Sequence, residues 1–337
     1  MSELRIGING FGRIGRCAFK QIIDRPGVSV VGVNDLADLG DLAYLLKYDS
    51  VHGWYPRKVD HDDQHLVVDG QEIPFFHHRN PEEIPWGELG VDVVIEATGV
   101  FRDRDAAARH LAAGAKKVVI SAPSSNADSM IVLGVNDEIY DPAAHDVVSM
   151  ASCTTNCLAP VAKVLNDTFG VDHLMITTIH AYTSSQALMD TPMRKRRRGR
   201  SAAVSIIPTT TGAAKATGVV IPELDGRMDG MAVRVPVPDG SLTDIVATLK
   251  ADATEESVND ALRQAAEEEG LMGILRVTDE ALVSRDIIGD THSSIIDAES
   301  TMALGERMVK VLSWYDNEWG YSARLVDFAH FLLRKGL

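Results

Sequence analysis

Apolar and polar positions repeat with two different characters along this chain, and the change falls near residue 150. Residues 4–9, Leu-Arg-Ile-Gly-Ile-Asn, form a short strand pattern; Ile14, Cys17, Ala18 and Ile22 then repeat at helical spacing, and residues 28–33 are a second strand. Strands are expected near Leu66, Ile73, Val93, Val118, Ile131 and Val147, with helices over residues 39–46 and 105–113. This alternation predicts an α/β fold on a largely parallel sheet. Beyond Cys153 the runs lengthen: residues 174–182, 231–236 and 242–251 alternate strictly, which predicts an α+β region with a mainly antiparallel sheet. Helices are expected at 153–169, 210–215, 254–269 and 322–334, and Pro160 inside the first predicts a kink or a late start.

A chain of 337 residues exceeds what one hydrophobic core serves, and its 45% hydrophobic content suffices for two. No apolar run is long enough to cross a bilayer, since the segment 91–101 is short and carries Glu96. The first residues lack a signal-peptide shape because Leu4 already belongs to a strand. The three cysteines cannot all pair, and Cys153 and Cys157 lie one helical turn apart, a poor disulfide geometry. A reducing compartment, the cytoplasm, is the expectation. The net charge is −15, and only 11 of the 33 basic residues are lysine. That balance argues against nucleic acid or an anionic membrane as the main partner, and suits a high-salt medium that screens self-repulsion.

Two motifs carry candidate chemistry. Gly10-Phe11-Gly12-Arg13-Ile14-Gly15 matches G-x-G-x-x-G between a strand and a helix, where glycines permit a tight turn and close approach to a pyrophosphate. Asp35 closes the second strand, where a carboxylate accepts from a ribose hydroxyl and repels a ribose phosphate; Leu36 offers no hydroxyl to bind one, so NAD is favoured over NADP. An ordinary βα turn is the plain alternative. In Ala151-Ser152-Cys153-Thr154-Thr155-Asn156-Cys157 a cysteine stands where a strand meets a helix, and the helix N-terminus favours a thiolate. The alternative for Cys153 is a small buried hydrophobe. His61 and His65 have helical metal-ligand spacing, but their acidic, strand-flanked setting reads as a solvated loop, and no metal is expected. The basic run 193–200 reads in isolation as a polyanion patch or targeting signal.

Further motifs follow in order: His180-Ala181-Tyr182-Thr183, residues 206–215 from Ile-Ile-Pro-Thr to Ala-Ala-Lys, Arg234-Val235-Pro236, and residues 314–321, Trp-Tyr-Asp-Asn-Glu-Trp-Gly-Tyr. With the first two, this collinear set resembles the phosphorylating glyceraldehyde-3-phosphate dehydrogenases of the bacterial and eukaryotic type over the whole chain. The resemblance implies a Rossmann NAD-binding domain at 1–150, a catalytic domain at 151–314, and a C-terminal segment 315–337 packed back on the first. It implies Cys153 as nucleophile and His180 as proton acceptor, with an ion pair that lowers the thiol pKa. Ser152, Thr154, Thr211 and Gly212 are implied for the attacking inorganic phosphate; Thr183 and Arg234, with Arg197, for the phosphate of glyceraldehyde 3-phosphate. For NAD it implies Gly10, Gly12, Arg13, Ile14 and Gly15 at the pyrophosphate, Asp35 at the ribose, Arg79 and Ser121 nearby, and Asn317 at the nicotinamide carboxamide. A homotetramer is implied, with the basic run as a loop facing cofactor and neighbouring subunits.

This chain carries Ser185 where many bacterial members have a carboxylate. Erythrose-4-phosphate dehydrogenase shares the Cys and His, but Thr183 and Thr211-Gly212 argue for the triose phosphate. A binding protein on an inactive scaffold is opposed by the intact Cys153, His180 and Asn317.

Overall fold

In a computed structural model describing residues 3–337, the four consecutive residues Ile6, Gly7, Ile8 and Asn9 are buried at the end of the strand Leu4–Asn9. Burial on both faces is the signature of a central parallel strand. It lies in a nine-stranded sheet, in spatial order Ser129–Met130, Val147–Ser149, Lys117–Ile120, Val93–Glu96, Leu4–Asn9, Val28–Asn34, Gln71–Phe76, His65–Val68 and Val59–His61. The first seven run parallel and the last two close the edge as antiparallel partners. The register aligns Asn9 with Asn34 on one side and Glu96 on the other, so three polar residues finish three adjacent strands. The carboxyl ends of such strands are where open α/β sheets bind ligands.

The chain forms two compact units. The first comprises the residues through Ile131, Glu138–Ala151 and Ser322–Leu337. From Ser322 on, the last helix belongs to it: Phe328 and Phe331 pack around Tyr140, and the Ser322 hydroxyl donates to the Ile14 carbonyl at 3.4 Å. The second unit, Val132–Asp137 with Ser152–Tyr321, holds a seven-stranded sheet. Its order is Ile207–Thr210, Met228–Val235, Val171–Ala181, Ser241–Leu249, Met308–Tyr315, Ser294–Leu304 and Leu275–Thr278. Four of its six pairings are antiparallel. The helix Cys153–Phe169 is buried over most of its length and contacts the sheet, and it runs through Pro160 from Cys153 without a late start.

Three local expectations shift. Residues 105–113 fold as two short helices, Arg104–Ala107 and Arg109–Ala112, because the Leu111 N–H takes the tighter i→i+3 bond to the Ala108 carbonyl. The helix expected at 210–215 starts later, as Ala213–Val220, and Ile207–Thr210 is a strand. The threonines before it are β-branched and favour extended backbone. Near Ile131 only Ser129–Met130 pairs as a strand.

Candidate active site

The approach to Cys153 is strained. Ala151 holds φ at 53°, a left-handed conformation that non-glycine residues seldom adopt and that clusters at functional turns. Ser152 caps the helix by accepting from the Thr155 N–H at 3.1 Å. Cys153 is therefore the first residue of a 17-residue helix, at its positive end. Its Sγ lies 3.5 Å from Nε2 of His180, near the end of Val171–Ala181. The Nδ1 of His180 lies 2.7 Å from the Ala181 carbonyl, which only accepts, and 3.0 Å from Arg234 Nη1, which only donates; the carbonyl is nearer and the guanidinium can donate to it instead, so we place the proton on Nδ1, with the Nε2 lone pair turned to the thiol. Arg234 Nη1 donates to that same carbonyl at 2.9 Å.

Burial opposes charging either group alone. It pushes the Cys153 thiol up to about 11 and the His180 imidazole down to about 3, with Arg234 favouring the thiolate and opposing the imidazolium. Those penalties fall on lone charges. A proton moved from Sγ to Nε2 creates opposite charges 3.5 Å apart, so neither is left unpaired. The two groups are thus arranged to ionise as a unit, and the helix N-terminus by itself does not free the thiolate.

Thr154 is tied into the core beside the thiol. Its hydroxyl is buried against the Tyr315 hydroxyl at 2.9 Å and stands 4.0 Å from Sγ. Tyr315 also meets Thr178 Oγ1 at 2.9 Å and sets its ring edge-on to His180. It ties the helix to the histidine strand, a part not foreseen from its motif.

Arg234 is mostly buried, with Nε unpartnered, and among the described residues no carboxylate pairs with it. Its Nη1 reaches Thr183 Oγ1 at 3.5 Å, and Thr183 meets Ser185 Oγ at 2.8 Å. Arg198 donates to Ser185 Oγ and Thr209 Oγ1, both at 3.1 Å, whereas Arg197 is exposed. Of the two, Arg198 is the arginine that reaches these hydroxyls from the short turn Arg196–Gly199. Two guanidiniums beside hydroxyls, without a carboxylate, have the chemistry to hold an anion. Thr211 and Gly212 precede the helix Ala213–Val220, Gly212 as its N-cap, which is a second anion-binding geometry.

Asn317 is buried, and its Oδ1 accepts from Ser241 Oγ at 2.5 Å, which leaves its amide nitrogen as the group it can offer a ligand. Ser241, which fixes that orientation, had no sequence signal.

The first unit carries a cavity of about 320 Å³ lined by Gly10, Gly12, Asn34, Asp35, Arg79 and Phe101 among others. Gly10 has φ of +93°, and a Cβ there would lie 2.6 Å from the Thr98 nitrogen; a Cβ on Gly15 would lie 2.0 Å from the Gly10 carbonyl oxygen. Gly12 instead faces open space at the start of Arg13–Ile23. Asp35 accepts from the N–H groups of Phe11 at 2.6 Å and Ala37 at 2.9 Å, which holds its carboxylate beside the glycine turn. The Arg13 guanidinium is paired with buried Asp49 at 2.8 Å, so its backbone and that of Ile14 are what the helix N-terminus presents. Ser121 lies outside this lining and donates its N–H to the Glu96 carbonyl at 3.0 Å. A glycine turn open at Gly12, a helix N-terminus and a carboxylate at the next strand end fit a dinucleotide. His61 and His65 stand on either side of a hairpin turn held by Asp62, not on a helix.

Comparison with known proteins bears on both units. Residues 4–104 match the NAD binding domain of glyceraldehyde 3-phosphate dehydrogenase, and residues 152–317 match its C-terminal domain. The chain is 57% identical over 334 residues to glyceraldehyde-3-phosphate dehydrogenase of Geobacillus stearothermophilus, covering 99% of both chains. It is 54% identical to glyceraldehyde-3-phosphate dehydrogenase 1 of Bacillus subtilis (strain 168), again over 99% of both, and 52% identical to the Streptomyces coelicolor enzyme over 98% of both. The chain belongs to the glyceraldehyde-3-phosphate dehydrogenase family.

Proposed function

We propose that this chain oxidises D-glyceraldehyde 3-phosphate with NAD and transfers the acyl group to inorganic phosphate, giving 1,3-bisphosphoglycerate. The observation that carries the reading is the Cys153 Sγ to His180 Nε2 pair at 3.5 Å beside an arginine that lacks a carboxylate partner. Cys153 adds to the aldehyde carbon while Nε2 takes the thiol proton and passes it to the new hydroxyl. His180 then removes that hydroxyl proton as the carbon gives up hydride, leaving a thioester on Sγ. NAD supplies the hydride acceptor when bound, and Gly10, Gly12, the Arg13 and Ile14 backbone, Gly15, Asp35, Arg79 and Ser121 are the residues assigned to hold it. The Asn317 amide is assigned to orient its nicotinamide. A phosphate oxygen next attacks the thioester carbon, and sulfur leaves as a thiolate beside the imidazolium. Arg234, Arg198 and Thr183 are assigned to the substrate phosphate; Ser152, Thr211, Gly212 and the Thr154 backbone to the attacking one.

We assign residues 1–150 with the C-terminal helix to cofactor binding and 151–314 to catalysis. A homotetramer is supported by the second unit's sheet. One face packs on helices; the other aligns Met175, Val246 and Met302 with the Lys310–Asp244 pair, and Met231, Leu304 and Met308 stand exposed beside them. Such an apolar face suits a second copy. Among the described residues no helix is long and apolar enough to cross a membrane; we assign the chain to the cytoplasm.

Purified protein in concentrated KCl is mixed with glyceraldehyde 3-phosphate and NAD or NADP, with and without phosphate. Sustained, phosphate-dependent reduction of NAD is expected. A burst without turnover in phosphate, or no reduction, refutes the reaction, and sedimentation velocity tests the tetramer.

A further inference from the structure

We infer that Glu96 and His110 are positioning residues for the dinucleotide cavity: a buried carboxylate, oriented by a histidine locked in one tautomer, clamps together the two backbone turns that form the cavity mouth. The inference rests on the NAD reading above and concerns residues to which that reading gives no part.

Trp86 anchors the arrangement. Its indole N–H can only donate, and it lies 2.9 Å from His110 Nδ1, so Nδ1 is the unprotonated nitrogen. A neutral ring then carries its proton on Nε2, 3.1 Å from Glu96 Oε2. Asn9 Nδ2 donates to that same oxygen at 2.6 Å, and its Oδ1 accepts from Asn34 Nδ2 at 2.8 Å, which fixes the amide orientation. Glu96 Oε1 accepts from the Thr98 N–H at 2.8 Å and from the Thr98 hydroxyl. That hydroxyl accepts from the Val100 N–H at 3.1 Å, so its own proton is available for the carboxylate. Every partner of Glu96 is therefore a donor, and both oxygens are used as acceptors.

The clamp follows from where these donors sit. Asn9 ends the central strand immediately before Gly10; Thr98 opens the turn after Val93–Glu96, and its nitrogen would lie 2.6 Å from a Cβ on Gly10. One carboxylate thus holds both sides of the gap into which the glycine turn fits. Asn9, Thr98 and Phe101 all line the cavity, and His110 meets the Phe101 ring edge-on, with centroids 6.3 Å apart. His110 itself is fully buried. It acts through its neighbours, by keeping the carboxylate from rotating.

The test uses the full-length protein. NAD binding is measured by titration calorimetry for wild type, H110F and H110Q, with kcat at saturating NAD. Phe removes both bonds, whereas the Gln amide offers an acceptor to Trp86 and a donor to Glu96. We expect H110F to weaken NAD about tenfold while kcat stays within about twofold, and H110Q to recover most of the affinity. Wild-type affinity in H110F, equal weakening in both variants, or a loss confined to kcat overturns the inference. A wild type that binds no NAD overturns the cofactor reading instead. Should H110F fail to fold, side-chain nitrogen NMR of the wild type decides: a proton on Nε2 alone supports the clamp, and a proton on Nδ1 overturns it.

Discussion

His110 in the first unit and His180 in the second are both buried, and each has a neighbour on both ring nitrogens, yet they carry opposite tautomers. Trp86 donates to Nδ1 of His110 and forces its proton onto Nε2, toward a carboxylate that has only donors around it. The Ala181 carbonyl draws the His180 proton to Nδ1 and leaves Nε2 facing a thiol. In each place a second donor converges on the same oxygen: Asn9 on Glu96, Arg234 on Ala181. The first arrangement is saturated and has nowhere to send a proton. The second holds one unshared electron pair opposite one removable proton. Burial alone thus does not make a histidine reactive; the identity of the atom facing its lone pair does.

The comparison breaks most sharply at the nucleophile. C153A should lower turnover by at least about 10⁴-fold with unchanged circular dichroism and NAD binding, and substantial residual turnover would refute its role. H180N comes next, with a loss of about 10² to 10⁴-fold. It carries a pH signature as well. Burial holds the lone Cys153 thiol up at about 11, so without its proton acceptor the thiol stays protonated at neutral pH and ionises only as pH climbs toward that value. Iodoacetamide should therefore alkylate H180N slowly at pH 7 and ever faster with rising pH, while wild type levels off at lower pH. Identical profiles would mean that His180 does not share the thiol proton.

A smaller effect separates neighbouring arginines. Arg198 touches Ser185 and Thr209 whereas Arg197 is exposed, so R198A should raise the KM for glyceraldehyde 3-phosphate about tenfold or more, and R197A by less than about twofold. Reversal of that order would relocate the phosphate site. Least of all, the net charge of −15 should make the thermal midpoint rise by several degrees from dilute buffer to molar KCl; an unchanged midpoint removes the case for a salt-adapted surface.

Much of this was legible in the chain because it is local. The alternation of strand and helix, the turn from Gly10 to Gly15 and a cysteine opening a helix depend on residues a few positions apart, whose spacing sets backbone periodicity. Local signals conflict at 210–215, where the spacing predicts a helix from Thr210, but β-branching and pairing with Met228–Val235 draw Ile207–Thr210 into the sheet. The arginine run shows another limit, since adjacent residues of one type have no sequence signal for which side chain turns inward.

By itself, then, the sequence determined most of the order of elements, the dinucleotide turn, a cysteine opening a helix and the family. Tertiary structure alone decided that Arg198 rather than Arg197 reaches Ser185 and Thr209, that Thr154 turns to Tyr315 161 residues away, and that Asn9 and Glu96, 87 residues apart, share one carboxylate contact. The physical reason is that hydrogen-bond direction, tautomer and burial are properties of neighbours in space, and those neighbours are assembled only when distant strands pair.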